Sequence, residues 1–113
     1  MFSSEFLFDD GKEETPQREP PQITLVLRNK TVTPGNTAKF ACRYKSVTGA
    51  TVEWSKDGKA IRQDTRHKLE HEGDLCLLTV LKVMESDVGE YTVVVRNEVA
   101  QSRSSASLQI DGK

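Results

Sequence analysis

The sequence lacks the features that mark a membrane protein, a disulfide-rich secreted protein or a nucleic-acid-binding protein. Its 113 residues contain only two cysteines, Cys42 and Cys76. No apolar run approaches the roughly 20 residues of a transmembrane helix, and the N-terminus lacks the basic and apolar regions of a signal peptide. Sixteen basic and 17 acidic residues give a formal net charge of -1. This balance predicts no partnership with nucleic acid or with a membrane surface.

No group of residues has the spacing of a catalytic or metal-binding site. His67 and His71 are four positions apart, and Cys76 follows them. On a strand, side chains four positions apart are separated by about 13 Å, which is too far to share one metal ion. The glycines stand in turns and form no phosphate-binding loop. We therefore expect no enzyme activity, no metal, no cofactor and no small-molecule substrate.

Short segments in which apolar and polar residues alternate run from residue 23 to residue 110, with turn signals such as Pro34-Gly35-Asn36 between them. The pattern gives Cys76, Leu78 and Val80 a common face. Strands are predicted at residues 23–27, 30–33, 38–43, 52–55, 66–71, 75–83, 92–95 and 102–110, with one helical turn at 84–87. Several short, evenly spaced strands predict an all-β sandwich.

The first 22 residues have a different composition. They hold six acidic and two basic residues, a net charge of -4, and three of the four prolines. Such a segment offers few apolar groups to offset the entropy of ordering. We expect 1–22 to be a disordered acidic tail or linker and 23–111 to be the folded domain. An apolar cluster in the tail is either a short docking motif or a few apolar residues in a linker. It consists of Phe2, Phe6, Leu7 and Phe8.

Asp87, Gly89 and Tyr91 stand at alternate positions just ahead of an alternating strand. A tyrosine there can bury its ring and direct its hydroxyl to the upstream backbone, as in the tyrosine corner of a β-sandwich. The run resembles the D-x-G-x-Y-x-C motif of the immunoglobulin superfamily, with Val93 at the second cysteine position. Further matches, in order and spacing, are Cys42, Trp54 in Trp-Ser-Lys-Asp-Gly-Lys, and Leu78-Thr79-Val80.

The short middle region and the tryptophan-containing turn resemble the intermediate set (I-set) of immunoglobulin domains. Asn97-Glu98-Val99-Ala100 is similar to the N-x-x-G loop of intracellular titin-like proteins, such as titin, twitchin, obscurin, myosin-binding protein C and palladin. Ala100 replaces the usual glycine, so a left-handed backbone there would be strained. The resemblance implies an immunoglobulin-like two-sheet Greek-key sandwich, with Trp54 packed on Cys42. The implied core residues are Cys42, Trp54, Leu78, Val80, Tyr91 and Val93. The resemblance also implies an ion pair between Arg66 and the corner acid Asp87.

Val93 bears on the cellular compartment. In secreted relatives a disulfide joins the positions of Cys42 and Val93, and here that bond cannot form. Cys76 is expected beside Cys42 in the same sheet, where it is a poor substitute. Two unpaired thiols favour the reducing cytoplasm, at the sarcomere or cytoskeleton. The sequon Asn29-Lys30-Thr31 leaves open the alternative of an extracellular adhesion or receptor domain that lacks the disulfide.

The strand that follows Gly73 also suggests a surface. If Cys76, Leu78 and Val80 face inward, then Leu75, Leu77 and Leu81 face outward, near Lys39 and Arg43 on the neighbouring strand. This row is either a contact surface or a row interrupted by Thr79, with its end residues tucked under loops.

The resemblance implies a non-catalytic spacer, load-bearing unit and docking module. Its expected partners are neighbouring immunoglobulin or fibronectin-type domains and sarcomeric or actin-associated proteins. A regulatory domain flanking a muscle protein kinase is the second alternative.

Overall fold

The computed structural model describes residues 19–46 and 49–111. The apolar cluster Phe2, Phe6, Leu7 and Phe8 and most of the predicted tail lie outside the described residues. Within them the chain forms nine strands and one short 3-10 helix, Glu85–Asp87. The strands are β1 Gln22–Leu25, β2 Lys30–Val32, β3 Ala38–Lys45, β4 Thr51–Lys56, β5 Lys59–Ala60, β6 His67–Glu72, β7 Leu75–Val80, β8 Gly89–Arg96 and β9 Gln101–Ile110.

The strands form two sheets. One has the order β1-β3-β7-β6 and the other the order β2-β9-β8-β4-β5. All neighbours are antiparallel except β2 and β9, which run parallel with Lys30 opposite Leu108. The chain passes from the first sheet to the second between β1 and β2, where Leu27 is buried and its N–H donates to Ser104 Oγ at 3.0 Å. The predicted all-β sandwich is confirmed.

The core lies between the sheets because alternate residues of each strand point inward. In β3 the inward residues Ala38, Phe40, Cys42 and Tyr44 are buried, whereas Lys39 and Arg43 are exposed. Phe40 meets Tyr91 of the opposite sheet with ring centroids 5.1 Å apart. Trp54 is 5% exposed and belongs to the same buried cluster as Cys42. The other buried apolar residues on strands β7 to β9 are Cys76, Leu78, Val80, Val93, Val95, Ala106 and Leu108.

Most strand ends differ from the predicted ones by one to three residues, and two of these differences have a clear cause. Strand β1 begins at Gln22, and Pro21 before it is fully buried, with its carbonyl accepting a 2.6 Å hydrogen bond from Ser102 Oγ. The folded part therefore starts before residue 23. Strand β7 ends at Val80 rather than Val83, because Lys82 has a φ of +51° and turns the chain. Val83 remains buried in the core beyond that turn.

Candidate interaction surface and the corner that supports it

The connection from β7 to β8 is fixed by a corner built on Asp87. Arg66 Nη1 and Nη2 donate to the two carboxylate oxygens of Asp87 at 2.8 and 2.9 Å. The side chain of Asp87 is 4% exposed and that of Arg66 is 28% exposed. The Met84 N–H donates to Asp87 Oδ2 at 2.9 Å, and Tyr91 Oη donates to the Asp87 carbonyl at 2.6 Å. The buried carboxylate is thus fully hydrogen-bonded, which offsets the cost of its burial.

The electrostatics of this corner follow from the same contacts. Burial opposes the charged form of Asp87, but the hydrogen bonds from Arg66 and Met84 outweigh it, so the pKa of Asp87 lies below its usual value. The hydrogen bond to Asp87 raises the pKa of Arg66. Burial is the main cause of the raised pKa of Tyr91. The corner is therefore a permanent ion pair with a neutral tyrosine beside it, which suits a structural role.

The glycine of the motif permits a close approach between two turns. A Cβ at Gly89 would lie 2.5 Å from Oδ2 of Asp57. Asp57 sits in the β4–β5 turn with a φ of +50°, and its Oδ1 accepts the Glu90 N–H at 2.9 Å. The carboxylate occupies the space that any larger residue at position 89 would need.

The two cysteines lie opposite each other on β3 and β7, and both thiols are free and fully buried. Burial raises the pKa of the Cys42 thiol to about 11. Burial, with a smaller contribution from Cys42, raises the pKa of Cys76 to about 12. Val93 on the facing sheet is also fully buried. Both thiols are therefore protonated and unreactive at neutral pH.

The outer face of the β1-β3-β7-β6 sheet carries cross-strand rows of outward residues. Leu75 stands between Arg43 and Glu72, Leu77 between Ala41 and Glu70, and Thr79 between Lys39 and Lys68. Leu25 of β1 stands beside Arg43. We call Leu25, Ala41, Leu75 and Leu77 the leucine face. They are half-buried and lie outside the core cluster.

An open cavity of about 300 Å³ lies against the leucine face, lined by Leu75, Leu77, Glu70, Glu72 and His71. His71 does not point out with the two glutamates. It pairs across the sheet with inward-facing Cys76, and its Nε2 lies 2.9 Å from Tyr44 Oη. The polar groups that border the cavity on its outer side are therefore the carboxylates of β6.

Comparison with known proteins identifies the family to which this domain belongs. The profile of the Immunoglobulin I-set domain matches residues 21–110. The chain belongs to the immunoglobulin I-set family. This I-set domain is 32% identical over 91 residues to smooth-muscle myosin light chain kinase of Gallus gallus and 30% identical over 104 residues to the muscle M-line assembly protein unc-89 of Caenorhabditis elegans. The matches cover 80% and 91% of the chain, but only 5% and 1% of the two relatives.

Solved structures agree with the sequence relatives. Titin domain M7 superposes with a TM-score of 0.79 at 35% identity, over 82% of this chain and 95% of that one. The twitchin kinase region of C. elegans superposes with a TM-score of 0.78 at 26% identity, over 80% of this chain and 16% of that one. These two relatives and two structures come from muscle proteins, in which domains of this family are structural or interaction modules. Hemicentin-1 of Mus musculus is also similar to the chain, with 33% identity over 95 residues.

The structure brings together four of the five residues predicted for the surface of this I-set domain. Leu75, Leu77, Lys39 and Arg43 share the outer face of one sheet. Leu81 lies beyond the end of β7, is 36% exposed and donates its N–H to the Arg66 carbonyl at 2.8 Å. It therefore belongs to the Asp87 corner, away from the leucine face.

Sequence reasoning missed two parts of this surface. Alternation in β1 gives Leu25 the same face as Ile23, but a register shift between them turns Leu25 outward. The residues around the leucines were predicted to be basic, yet β6 also places Glu70 and Glu72 beside them. The alternation of apolar and polar residues within a strand does not show which strands are neighbours. A bulge leaves no clear signal in a four-residue strand.

Thr79 lies in the outward row but is only 4% exposed, and its Oγ1 has no hydrogen-bond partner in the described part of the chain. The apolar row is therefore interrupted at Thr79, whereas Leu81 beyond it is exposed and not tucked under a loop. Leu75 and Leu77, which precede Thr79 in β7, face outward.

The β8–β9 hairpin also differs from expectation. Asn97 Oδ1 accepts the N–H groups of Val99 at 2.8 Å and Ala100 at 3.1 Å, and these bonds close the loop. In residues 19–46 and 49–111 the non-glycine residues with positive φ are Asp57 and Lys82. Ala100 is not among them, so the left-handed backbone that would be strained at Ala100 does not occur. The asparagine side chain closes the loop without a left-handed residue.

The two histidines are separated by their own contacts. His67 Nδ1 lies 2.9 Å from Asp64 Oδ1, whereas His71 contacts Tyr44. Over the described ranges there is no cluster of three or more His, Cys, Asp or Glu side chains that could hold a metal ion. Over the same ranges, no helix is long and apolar enough to cross a membrane.

Proposed function

We propose that this domain is a spacer, load-bearing unit and docking module within a longer muscle or cytoskeletal protein. The observation that carries the proposal is the course of the chain through the sandwich. The described chain enters beside one end of β9 and leaves at its other end, so flanking domains of a longer protein would lie in line with this one. Similarity to unc-89 and to titin domain M7 supports the assignment.

The entry is fixed by side chains of the β8–β9 hairpin. Asn97 Nδ2 donates to the Glu19 carbonyl at 2.8 Å, and Ser102 Oγ donates to the Pro21 carbonyl. Strand β9 then runs ten residues to Ile110, a length of about 30 Å. Because these bonds hold the incoming chain to the hairpin, they set the direction from which a preceding domain would approach.

The parallel β2–β9 pair is arranged to carry tension. Its register joins Lys30, Thr31 and Val32 to Leu108, Gln109 and Ile110, and the Asp111 N–H donates to the Val32 carbonyl at 3.0 Å. Tension applied to the two chain ends pulls these strands in opposite directions along their length. The bonds between them are loaded in shear and must break together, which resists unfolding.

The cytoplasm is the proposed location. The support is a fold that has Val93 in place of the second inter-sheet cysteine and keeps both of its thiols buried and free. Relatives named as muscle proteins support the same assignment.

Force spectroscopy on the full chain between two reference domains tests the load-bearing role. Lys30→Pro removes a backbone donor that faces β9, since Lys30 and Val32 share an orientation. Lys59→Pro is the matched control, because Lys59 shares the orientation of Ile61, whose N–H donates to the Trp54 carbonyl, and lies on the edge strand β5, which pairs only with β4. We expect Lys30→Pro to lower the unfolding force more than Lys59→Pro at equal thermal stability. Equal forces for the two variants would refute the role of β2.

The similarity to myosin light chain kinase favours one further candidate, a regulatory domain that flanks a protein kinase. Activity of the purified kinase region of that relative, measured with increasing amounts of the full chain, tests it. A dose-dependent change supports a regulatory contact, and unchanged kinetics exclude this contact for that kinase.

A further inference from the structure

The last outward row of strand β7 combines two exposed cations with a buried hydroxyl. Thr79 stands between Lys39 of β3 and Lys68 of β6. Both lysines are exposed, whereas Thr79 is 4% exposed. We call Lys39, Thr79 and Lys68 the lysine row.

The hydroxyl of Thr79 is the unusual member of the lysine row. Its Oγ1 is buried and has no hydrogen-bond partner within residues 19–46 and 49–111. A valine would have nearly the same shape and would avoid the cost of burying a polar atom without a partner. Thr79 stands between the inward residues Leu78 and Val80, so its side chain faces outward with the two lysines. A hydrogen-bonding group that arrives from outside would therefore satisfy it.

The two lysines are available to such a group. Among the described residues, neither Lys39 nor Lys68 takes part in an ion pair or a side-chain hydrogen bond. Arg43 of the same face differs from them, because it is paired with Asp74 at 3.1 Å. The row next to the lysines holds one acid, Glu70 of β6, which is not within ion-pair distance of Lys68. The lysine row thus presents two positive charges without a paired carboxylate.

This set of donors matches a phosphate monoester. Strands β3 and β6 flank β7 and lie about 10 Å apart, and two flexible four-carbon lysine side chains can close that gap above β7. Because both lysines are exposed, their side chains can also move aside to admit a ligand to the hydroxyl. A phosphate monoester carries a charge of about −1.5 to −2 at neutral pH and three terminal oxygens, one for each donor. A carboxylate has a single charge and two oxygens, so it matches the row less well.

The adjacent row adds an apolar contact. Leu77 precedes Thr79 by two positions, faces outward and is half-buried. Two residues of an extended peptide span about 6.6 Å, which equals the spacing of two outward rows on a strand. A peptide that runs along β7 with its phosphate over Thr79 therefore places a side chain two positions away over Leu77.

We propose that the lysine row binds a phosphoserine or phosphothreonine of a partner protein, within an extended segment that has an apolar residue two positions from the phosphate. Lys39 and Lys68 attract the phosphate, the Thr79 hydroxyl donates to one of its oxygens, and Leu77 contacts the apolar side chain. The inference rests on the docking part of the proposed function and specifies its ligand. Phosphorylation of the partner then promotes docking. The load-bearing role is independent of this site, because the unfolding-force measurement tests it separately.

Titration of the isotope-labelled full chain tests the proposal. The probe is the peptide acetyl-Gly-phosphoSer-Gly-Leu-Gly-amide, and amide signals are followed by NMR. We expect saturable shifts at Lys39, Lys68 and Thr79 and none at Thr92 and Ser105, which lie on the outer face of the other sheet. The unphosphorylated peptide should bind at least about tenfold more weakly, because it makes no charge-assisted hydrogen bonds. Equal binding of the two peptides, or equal shifts on both faces, overturns the proposal.

Two further probes separate the sources of a phosphate group. Inorganic phosphate lacks the apolar residue and should bind about fivefold more weakly than the phosphopeptide. If it binds as tightly, the row is a site for the free ion and the peptide ligand is refuted. Sedimentation with vesicles of phosphatidylcholine and phosphatidic acid in equal parts should leave the chain in solution. Retention on the vesicles that Lys39→Gln abolishes would assign the row to a lipid headgroup and refute the peptide ligand as well.

Matched substitutions locate the phosphate. Lys39→Gln and Lys68→Gln should each weaken phosphopeptide binding about fivefold. Lys45→Gln removes the same charge from another exposed position of β3 and should leave the dissociation constant unchanged. Equal losses in Lys39→Gln and Lys45→Gln would show attraction by net charge alone and overturn the proposal.

Thr79→Val tests the hydroxyl without disturbing the fold, because an apolar group of similar shape replaces a buried polar group that has no partner in the described chain. Binding of the phosphopeptide should weaken at least about fivefold, while thermal unfolding shows a fold that is at least as stable. A variant of unchanged affinity overturns the proposal, since the hydroxyl is the group that places the phosphate over β7.

Discussion

Arg66 and Asp87 show what a single side-chain pair does in this sandwich. The pair closes the turn before β8 and leaves the carboxylate nearly inaccessible to solvent. Its two members lie 21 positions apart in the chain. Burying a carboxylate without a cation costs far more free energy than burying an ion pair. Replacing one partner of the pair therefore measures how much the other depends on it.

Replacing Arg66 tests this cost. We expect Arg66→Met to lower the free energy of unfolding by about 3 kcal/mol, because Asp87 stays buried without its cation. Chemical denaturation measures the change. Arg62→Met, at an exposed arginine on the preceding loop, is the matched control and should shift stability by less than about 0.5 kcal/mol. Equal losses in both variants would show that the pair contributes nothing beyond an exposed charge.

The same variant predicts a pH dependence. The native pKa of Asp87 is lowered, so the stability it contributes is present above its unfolded pKa of about 4 and is lost as pH falls through the native value. In Arg66→Met the carboxylate is unpaired and binds a proton more readily. The stability gap between the two proteins should therefore shrink from about pH 7 to about pH 3. A gap that stays constant would exclude Asp87 as its source.

Gly89 is a second position at which a single added atom should change the stability of the fold. Gly89→Ala places a Cβ against the Asp57 carboxylate, and we expect a loss of about 2 kcal/mol. Gly49→Ala, where nothing lies within 4 Å of the added Cβ, is the control and should be nearly neutral. Adding Asp57→Ala should cost less in Gly89→Ala than in the wild type, since the clash is then removed. Additive losses would refute the contact.

For single residues, the sequence predicted contacts correctly where the residue type and its spacing allow only one arrangement. The spacing of Asp87, Gly89 and Tyr91 predicted a hydroxyl directed back to the upstream backbone, and Tyr91 Oη donates to the Asp87 carbonyl. Ala100 was the opposite case. Its expected strain depended on a backbone conformation that Asn97 makes unnecessary, and a side-chain hydrogen bond across a loop cannot be read from residue spacing.

At the scale of strands, the alternation of apolar and polar residues predicted which side chains face the core better than it predicted where each strand ends. Cys76, Leu78 and Val80 are all fully buried, as period two requires. Strand β1 departs from the rule, because its register shift places Leu25 on the outside. Strand order was only partly open to prediction. Strands β6 and β7 are consecutive in the chain, whereas the pairing of β7 with β3 joins distant segments and had to come from the structure.

Thr79 gives a prediction for strand β7. Its buried hydroxyl has no partner in residues 19–46 and 49–111, so Thr79→Val should raise the free energy of unfolding by about 1 kcal/mol. Thr92→Val is the control, because that hydroxyl lies 2.8 Å from Ser105 Oγ. It should leave stability unchanged or slightly reduced. Destabilisation by Thr79→Val would reveal a partner for the hydroxyl.

For the molecule as a whole, the buried thiols report on global opening. Cys42 and Cys76 lie at the centre of the sandwich with raised pKa values, so a thiol reagent reaches them only when the sheets separate. We expect no thiol to react in the native protein at neutral pH and two per chain to react in denaturant. Titration with a chromogenic disulfide reagent measures both states. Rapid reaction of either thiol in the native protein would contradict the described packing.

The edges of the sheets have a consequence for crowded assemblies. The five-stranded sheet ends in strands of three and two residues, β2 and β5, and the long edge β6 carries the charged side chains of Lys68, Glu70 and Glu72. Short or charged edges are poor templates for an additional strand. Similar domains strung closely along one filament can therefore refold beside each other with little risk of cross-pairing and aggregation.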